Sequence, residues 1–104
     1  MAMMEISLVP IGTKKTSMSN YIVDAVKVLE RRGIKYQVFP MSTVAESDLN
    51  ELFEAAREMH EEVFSEGDVH RLLTTIRIDD RRDTDENTME RKIKSLREKV
   101  KYKK

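Results

Sequence analysis

Lys35-Tyr36-Gln37-Val38-Phe39-Pro40-Met41-Ser42-Thr43-Val44-Ala45-Glu46 decides how this chain folds. Ile34, Tyr36 and Val38 alternate with Lys35, Gln37 and Phe39, the period-two pattern of a half-buried strand. Pro40 has no N–H to give to a ladder, so it belongs at an edge or a connection and not inside a central strand. A strand that stops at Pro40-Met41 and restarts at Thr43-Val44-Ala45 folds back as a hairpin. It ends on an acid, Glu46, just before a helix begins.

Working outward, Glu5-Ile6-Ser7-Leu8-Val9-Pro10 reads as a first strand with Ile6 and Leu8 on one face and Ser7 and Val9 on the other. After the polar loop Gly12–Thr16, Ser17 or Ser19 caps a helix whose apolar positions are Ile22, Ala25, Val26 and Leu29, and Gly33 ends it. Beyond the hairpin, Asp48 with Glu51 predicts a capping box. The helix stripe that follows is Leu49, Leu52, Phe53, Ala56, Met59 and Val63, with Phe64 near its end and Gly67 closing it. Leu72 to Asp79 is a fourth strand, with Leu72, Thr74, Ile76 and Ile78 on one face and Leu73, Thr75, Arg77 and Asp79 on the other. The order is strand, helix, strand, strand, helix, strand, which predicts an α+β fold, the ferredoxin-like βαββαβ sandwich. Met89, Ile93, Leu96 and Val100 mark an added C-terminal helix with a narrow seam for docking, on its own sheet or on a neighbouring subunit. The expectation is one domain over residues 1–104, with a core at about 4–80 and the extra helix at about 85–100.

Composition narrows the function classes. The absence of cysteine removes disulfides, thiolate metal sites and thiol nucleophiles, and suits a reducing cytoplasm. No apolar run approaches the ~20 residues of a membrane span, and the opening Met1-Ala2-Met3-Met4 lacks the charged start of a signal peptide. Cytoplasmic localisation follows as the expectation. The 19 basic and 19 acidic residues cancel, yet they are unevenly placed. Nine acids against Arg57 alone lie between Glu46 and Asp68, and eight basic residues against Glu98 alone lie between Arg91 and Lys104. Complementary solvated faces within or between subunits are the expected reading. The basic end lacks interleaved aromatics apart from Tyr102, which speaks against single-strand stacking, so neither nucleic acid nor a membrane is an expected partner.

No pattern of catalysis emerges. His60 and His70 have no paired metal spacing, and His60, on or beside the apolar stripe, reads as a partly buried, hydrogen-bonded histidine. Gly12-Thr13-Lys14-Lys15 lacks the first glycine and the length of a phosphate loop. Arg81-Arg82 between Asp80 and Asp83 reads as surface ion pairing. Ser17 and Ser19, where free N–H groups open a helix, are weak anion-site candidates beside their simpler role as caps. A sheet covered on one face leaves the other free, and there Ser7, Gln37, Thr75, Arg77 and Asp79 project with Val9 and Phe39, with Thr43 and Glu46 close to its edge. That mixture suits a polar subunit interface and equally a small-molecule pocket at one. No metal or cofactor is expected, and no acid–base pair of an enzyme is found. An RNA-binding sheet would need rings where Thr75 and Arg77 stand.

Ile6-Ser7-Leu8-Val9-Pro10-Ile11-Gly12-Thr13, the Ser17-Met18-Ser19 helix start, Tyr36 to Glu46 and Ile76-Arg77-Ile78-Asp79-Asp80-Arg81 together resemble the small YkoF-like thiamine-binding proteins of archaea and bacteria. The likeness runs from about Ile6 to Lys99, and the Pro-Met-x-Thr-x-x-Glu strand is its most specific part. The resemblance implies a ferredoxin-like fold, sheets paired into homodimers that associate further as homotetramers, and non-catalytic binding of thiamine or its hydroxymethylpyrimidine moiety. On that reading Glu46 faces the aminopyrimidine, because a carboxylate suits an exocyclic amine and a ring nitrogen that gains a proton. Phe39 supplies a flat apolar surface, Thr43, Ser7 and Gln37 add hydrogen bonds, and Asp79 is a candidate neighbour for the thiazolium cation. The competing reading is an oligomeric structural or regulatory module with no ligand.

Overall fold

A computed structural model describes residues 1–13, 19–65, 67–84 and 88–102, the side chains at 19 and 102 excepted. The elements are β1 (Ala2–Pro10), α1 (Ser19–Arg32), β2 (Lys35–Val38), β3 (Thr43–Ser47), α2 (Leu49–Phe64), β4 (Leu72–Asp79) and α3 (Met89–Tyr102). The strands form one sheet in the order β2-β3-β1-β4 with every neighbouring pair antiparallel. This is the ferredoxin-like α+β fold with an added C-terminal helix.

Register follows from which residues must be buried. Met4 lies between Ala45 and Ile78, and Ile6 between Thr43 and Ile76, so these rows face the helices. Ala25, Val28 and Leu29 of α1 and Leu52, Ala55, Ala56, Met59 and Val63 of α2 close over them. Each fully buried aliphatic side chain of this kind stabilises the fold by roughly 1.5–3 kcal/mol. Tyr21 joins the core as well, its hydroxyl donating to Asp68 Oδ2 at 2.8 Å.

The helix ends follow local chemistry. Gly33, at φ 67°, takes the left-handed position after α1, where Ile34 N–H reaches the Leu29 carbonyl and Gly33 N–H that of Glu30. Asp48 caps α2 by accepting from Glu51 N–H at 2.9 Å. The reciprocal half of the expected capping box is replaced, because the Glu51 carboxylate turns to Arg32 instead. Asp48→Ala is expected to cost about 1 kcal/mol, the ordinary worth of such a cap, read as a lowered midpoint in urea unfolding.

The acidic run of α2 is answered mainly by α1, not by the basic C-terminus. Arg31 pairs with Glu58 and Glu62, and Arg32 with Glu51, Glu54 and Glu58. A hydrogen bond from Arg32 holds the Glu58 carboxyl below the usual carboxylate range. The same cause acts on Asp80 through Arg82, on Asp83 through Arg81 and on Glu90 through Lys35. A carboxyl whose pKa is lowered by folding contributes stability that is fully present above its unfolded value and lost as pH falls through its folded one. Thermal midpoints should therefore hold level on the neutral side of the carboxylate range and fall below it, and Arg32→Gln should blunt that fall. A midpoint that rises on acidification would contradict this.

Four elements differ from the pattern read in the sequence. β1 begins at Ala2, because Ala2 and Met4 extend the buried alternation of Ile6 and Leu8. β3 runs on to Ser47, so Glu46 sits within the strand and not after it. Phe53 is 55% exposed, lying on the flank of α2 that faces away from α1. In α3 only Met89 is buried and Ile93 half-buried, while Leu96 and Val100 are 63% and 61% exposed. The seam is real as a pattern, but only its first turn docks.

Candidate functional site

Ile6 is the last residue of β1 that pairs with β3, and from Ser7 to Pro10 the strand pairs with β4 alone. The β2–β3 turn, closed by Phe39 N–H to the Ser42 carbonyl at 2.8 Å, therefore stands clear of the end of β1. Between this turn, the end of β1 and α1 opens a pocket of about 300 Å³. Ser7, Val9, Phe39 and Met41 form its sheet and turn side, and Ile22, Ala25 and Val26 its wall on α1. The hydroxyl-bearing residues Ser7, Ser42 and Thr43 border it, and among the described residues no ionisable side chain does. An apolar slot of this size, with one aromatic wall and a few hydroxyls, fits a small flat heterocycle.

On the free face of the sheet, Glu5 lies between Val44 and Arg77. Its carboxylate accepts from Ser42 Oγ at 3.1 Å and pairs with Arg77 at 3.5 Å. Asp79 pairs with Lys92 of α3 at 2.6 Å. These residues border a shallow basin of about 500 Å³ whose charges largely answer one another. Ser42 thus touches both places, bordering the pocket and holding the acid of the basin.

The profile of the family described as thiamine-binding protein matches residues 4–97. The chain belongs to that family. Protein YqgV of Bacillus subtilis is 44% identical over 100 residues, covering 92% of this chain and 94% of its own. The crystal structure of protein MJ1052 of Methanocaldococcus jannaschii superposes with a TM-score of 0.82 at 38% identity, over 93% of this chain and 96% of that one. A Thermotoga maritima structure, described as a candidate thiamine biosynthesis/salvage protein, gives a TM-score of 0.77 at 21% identity, covering 91% and 97%. At that identity the likeness is one of fold.

Within this member of the family, the residues singled out in the sequence fall into separate places. Ser7, Phe39 and Thr43 meet at the apolar pocket. Thr43 does so from the helix side, not from the edge of the free face, because it pairs with Ile6 of the core row. Glu46 is opposite Met3 on the free face and is 5% exposed. One of its oxygens accepts Met89 N–H at 3.1 Å, and the other lies 3.3 Å from Lys35 Nζ, so it anchors the start of α3. Gln37 lies beside α3, near Ile93 and Arg97, and Asp79 is in the basin. Ser17 and the Ser19 side chain lie outside the described residues.

Residues that the sequence reading left out are Glu5 and Ser42, together with the α1 wall at the pocket. Glu5 shares the parity of Ser7 on β1, which was the available signal. His60 is partly buried with Nδ1 2.6 Å from Thr74 Oγ1 and its ring 5.4 Å from that of Phe64, a packing role at the edge of the core. No group of metal-ligating side chains occurs among the described residues.

Proposed function

We propose that this protein is a non-catalytic binder of thiamine or its hydroxymethylpyrimidine moiety, with the pyrimidine ring in the pocket between Phe39, the end of β1 and α1. The observation that carries the reading is the pocket itself, apolar, without a charged side chain among its described lining residues and bordered by Ser7 and Thr43, in a chain of the thiamine-binding family. Phe39 stacks on the ring, and the hydroxyls meet its nitrogens and amine. The described lining residues include no carboxylate to answer a thiazolium cation, so that ring lies outward, toward solvent or the acids of the free face. Two copies associate through that face, covering Val9, Leu73 and the outer half of the α3 seam, all of them exposed in the single chain.

Calorimetry with thiamine, thiamine phosphate and hydroxymethylpyrimidine tests the reading. Hydroxymethylpyrimidine alone is expected to retain most of the affinity of thiamine. Absence of heat with all three would favour the second reading, an oligomeric module without a ligand, for which the exposed apolar turns of α3 speak. On the primary reading the protein works in the cytoplasm with neither nucleic acid nor membrane as partner. Among the described residues no helix is long and apolar enough to cross a membrane. A gel shift at low salt should be weak and little changed by truncation after Val100.

A further inference from the structure

Hydrogen-bond direction is fixed at one place on the rim of the pocket. β1 and β3 part after the pair Ile6 and Thr43, and one row further the ladder would set Ser7 against Ser42. The two serines therefore flank the opening from opposite strands, and both border the pocket. Ser42 is held at two points. Its carbonyl accepts Phe39 N–H at 2.8 Å, and its hydroxyl donates to Glu5 Oε2 at 3.1 Å. The other oxygen of Glu5 faces Arg77, and a carboxylate between two donors can only accept. A serine hydroxyl has one proton, so the lone pairs of Oγ are all that the Ser42 side chain offers a bound ring. The charge-assisted bond behind it makes that oxygen a better acceptor. Among the described residues the Ser7 side chain has no hydrogen-bond partner, so its hydroxyl turns to donate or to accept as a ligand requires.

We propose that Ser42, its proton held by Glu5, selects a ring bearing an aromatic amine over the corresponding oxo ring, with Glu5 as the positioning residue. The inference rests on the reading of the pocket as a pyrimidine site. An aminopyrimidine presents an N–H donor beside a bare ring nitrogen, which matches Ser42 accepting and Ser7 donating. The 4-oxo ring presents the reverse, a carbonyl beside an N–H. Ser7 can turn to accept from that N–H. Ser42 cannot turn to donate while Glu5 holds its proton, so lone pairs on two oxygens meet. A fixed hydrogen-bond direction rejects a mismatched analogue more sharply than an apolar wall does, because a polar group is left unpaired. Ser42 alone, with a rotating hydroxyl, would accommodate both rings.

Calorimetry with hydroxymethylpyrimidine, whose ring carries the amine, and with its 4-oxo analogue tests this on the parent, Ser42→Ala and Glu5→Gln. The parent is expected to prefer the amine by roughly ten- to a hundredfold. Ser42→Ala should narrow that ratio by weakening the amine. Glu5→Gln should narrow it by strengthening the oxo ring, because an amide can donate to Ser42 Oγ and release its proton toward the pocket. A merely structural role for either residue would weaken both ligands alike and leave the ratio unmoved. If neither ring binds the parent, the pyrimidine reading falls and this inference with it. If the amine binds but is not preferred, or the preference survives both substitutions, this inference alone is overturned and the binding reading stands. Arg77→Gln alters the charge of the basin and leaves Ser42 bonded to Glu5. A ratio that narrows as far with Arg77→Gln as with Glu5→Gln traces the preference to basin charge and also overturns the proposal. Glu5→Gln, isosteric at a half-buried strand position, carries the test if Ser42→Ala does not fold.

Discussion

Glu46→Ala is expected to release α3 from the sheet while the four strands and the first two helices stay folded. The buried carboxylate satisfies the first N–H of α3 at Met89 and meets Lys35, which also reaches Glu90. Thr88 caps the same end through Arg91 N–H, so the helix itself has a start without Glu46. What Glu46 supplies is buried attachment, beside which the exposed pairs Lys92–Asp79 and Lys35–Glu90 contribute little. Beyond the first turn the seam is exposed, and only Met89 and part of Ile93 contribute apolar burial. Losing a charge-assisted hydrogen bond costs about 1.5–3 kcal/mol, which raises the undocked population roughly ten- to a hundredfold. Trypsin cleavage among the lysines and arginines of α3 should accelerate by that factor, because local opening governs such cleavage. Glu46→Gln keeps an acceptor oxygen and loses the charge facing Lys35 and the helix N-terminus, so its effect should be smaller and of the same sign. If Glu46 instead meets the aminopyrimidine, as the resemblance implies, the Gln variant will weaken ligand binding and leave the trypsin rate unchanged.

Much of this arrangement was legible because local signals agreed with one another. β4 runs from Leu72 to Asp79, as its alternation predicts, with both ends set by loops. Asp48 and Gly33 carry cap chemistry that needs no tertiary context. Where the reading failed, the deciding force was a partner distant in sequence. Met3 and Met4 have no β-branch to mark a strand, yet Met4 is buried in the core on the helix side and Met3 on the opposite face. Phe53 fits the stripe of α2 by spacing, but the flank it occupies lies toward the edge strand β4. The site shows the same limit. Thr43 and Glu46 stand three apart on one strand and therefore cannot share a face. Which of them faces the core depends on hairpin register, and a slip of one residue would exchange them. The Pro40-Met41 turn does not reveal that register. Pairing of Thr43 with Ile6 sets it. Glu46 as an anchor was invisible for a related reason, since its backbone partner lies 43 residues away.

Val26→Trp and Phe39→Ala change the proposed pocket in opposite ways, and both are expected to lower affinity for hydroxymethylpyrimidine. Val26 is half-buried on α1 at the pocket wall, so a larger side chain has room to fold outward from the core and into the space a ring would occupy. Filling a slot of only about 300 Å³ with an indole should reduce binding by roughly a hundredfold or more, about 2.8 kcal/mol. Phe39→Ala removes the one aromatic wall and leaves the volume larger. An aromatic pair contributes about 0.5–1.5 kcal/mol beyond area burial, and with the lost apolar contact the expected loss is roughly ten- to thirtyfold. Phe39 is exposed at a turn, so folding should tolerate its removal. Calorimetry on each variant separates the pocket from the free-face basin, because Glu5, Arg77 and Asp79 are untouched by either change. Loss of binding in both variants with unaltered melting points assigns the ring to the pocket. Undiminished binding in both moves it to the basin, where charge and not stacking would have to recognise the ligand.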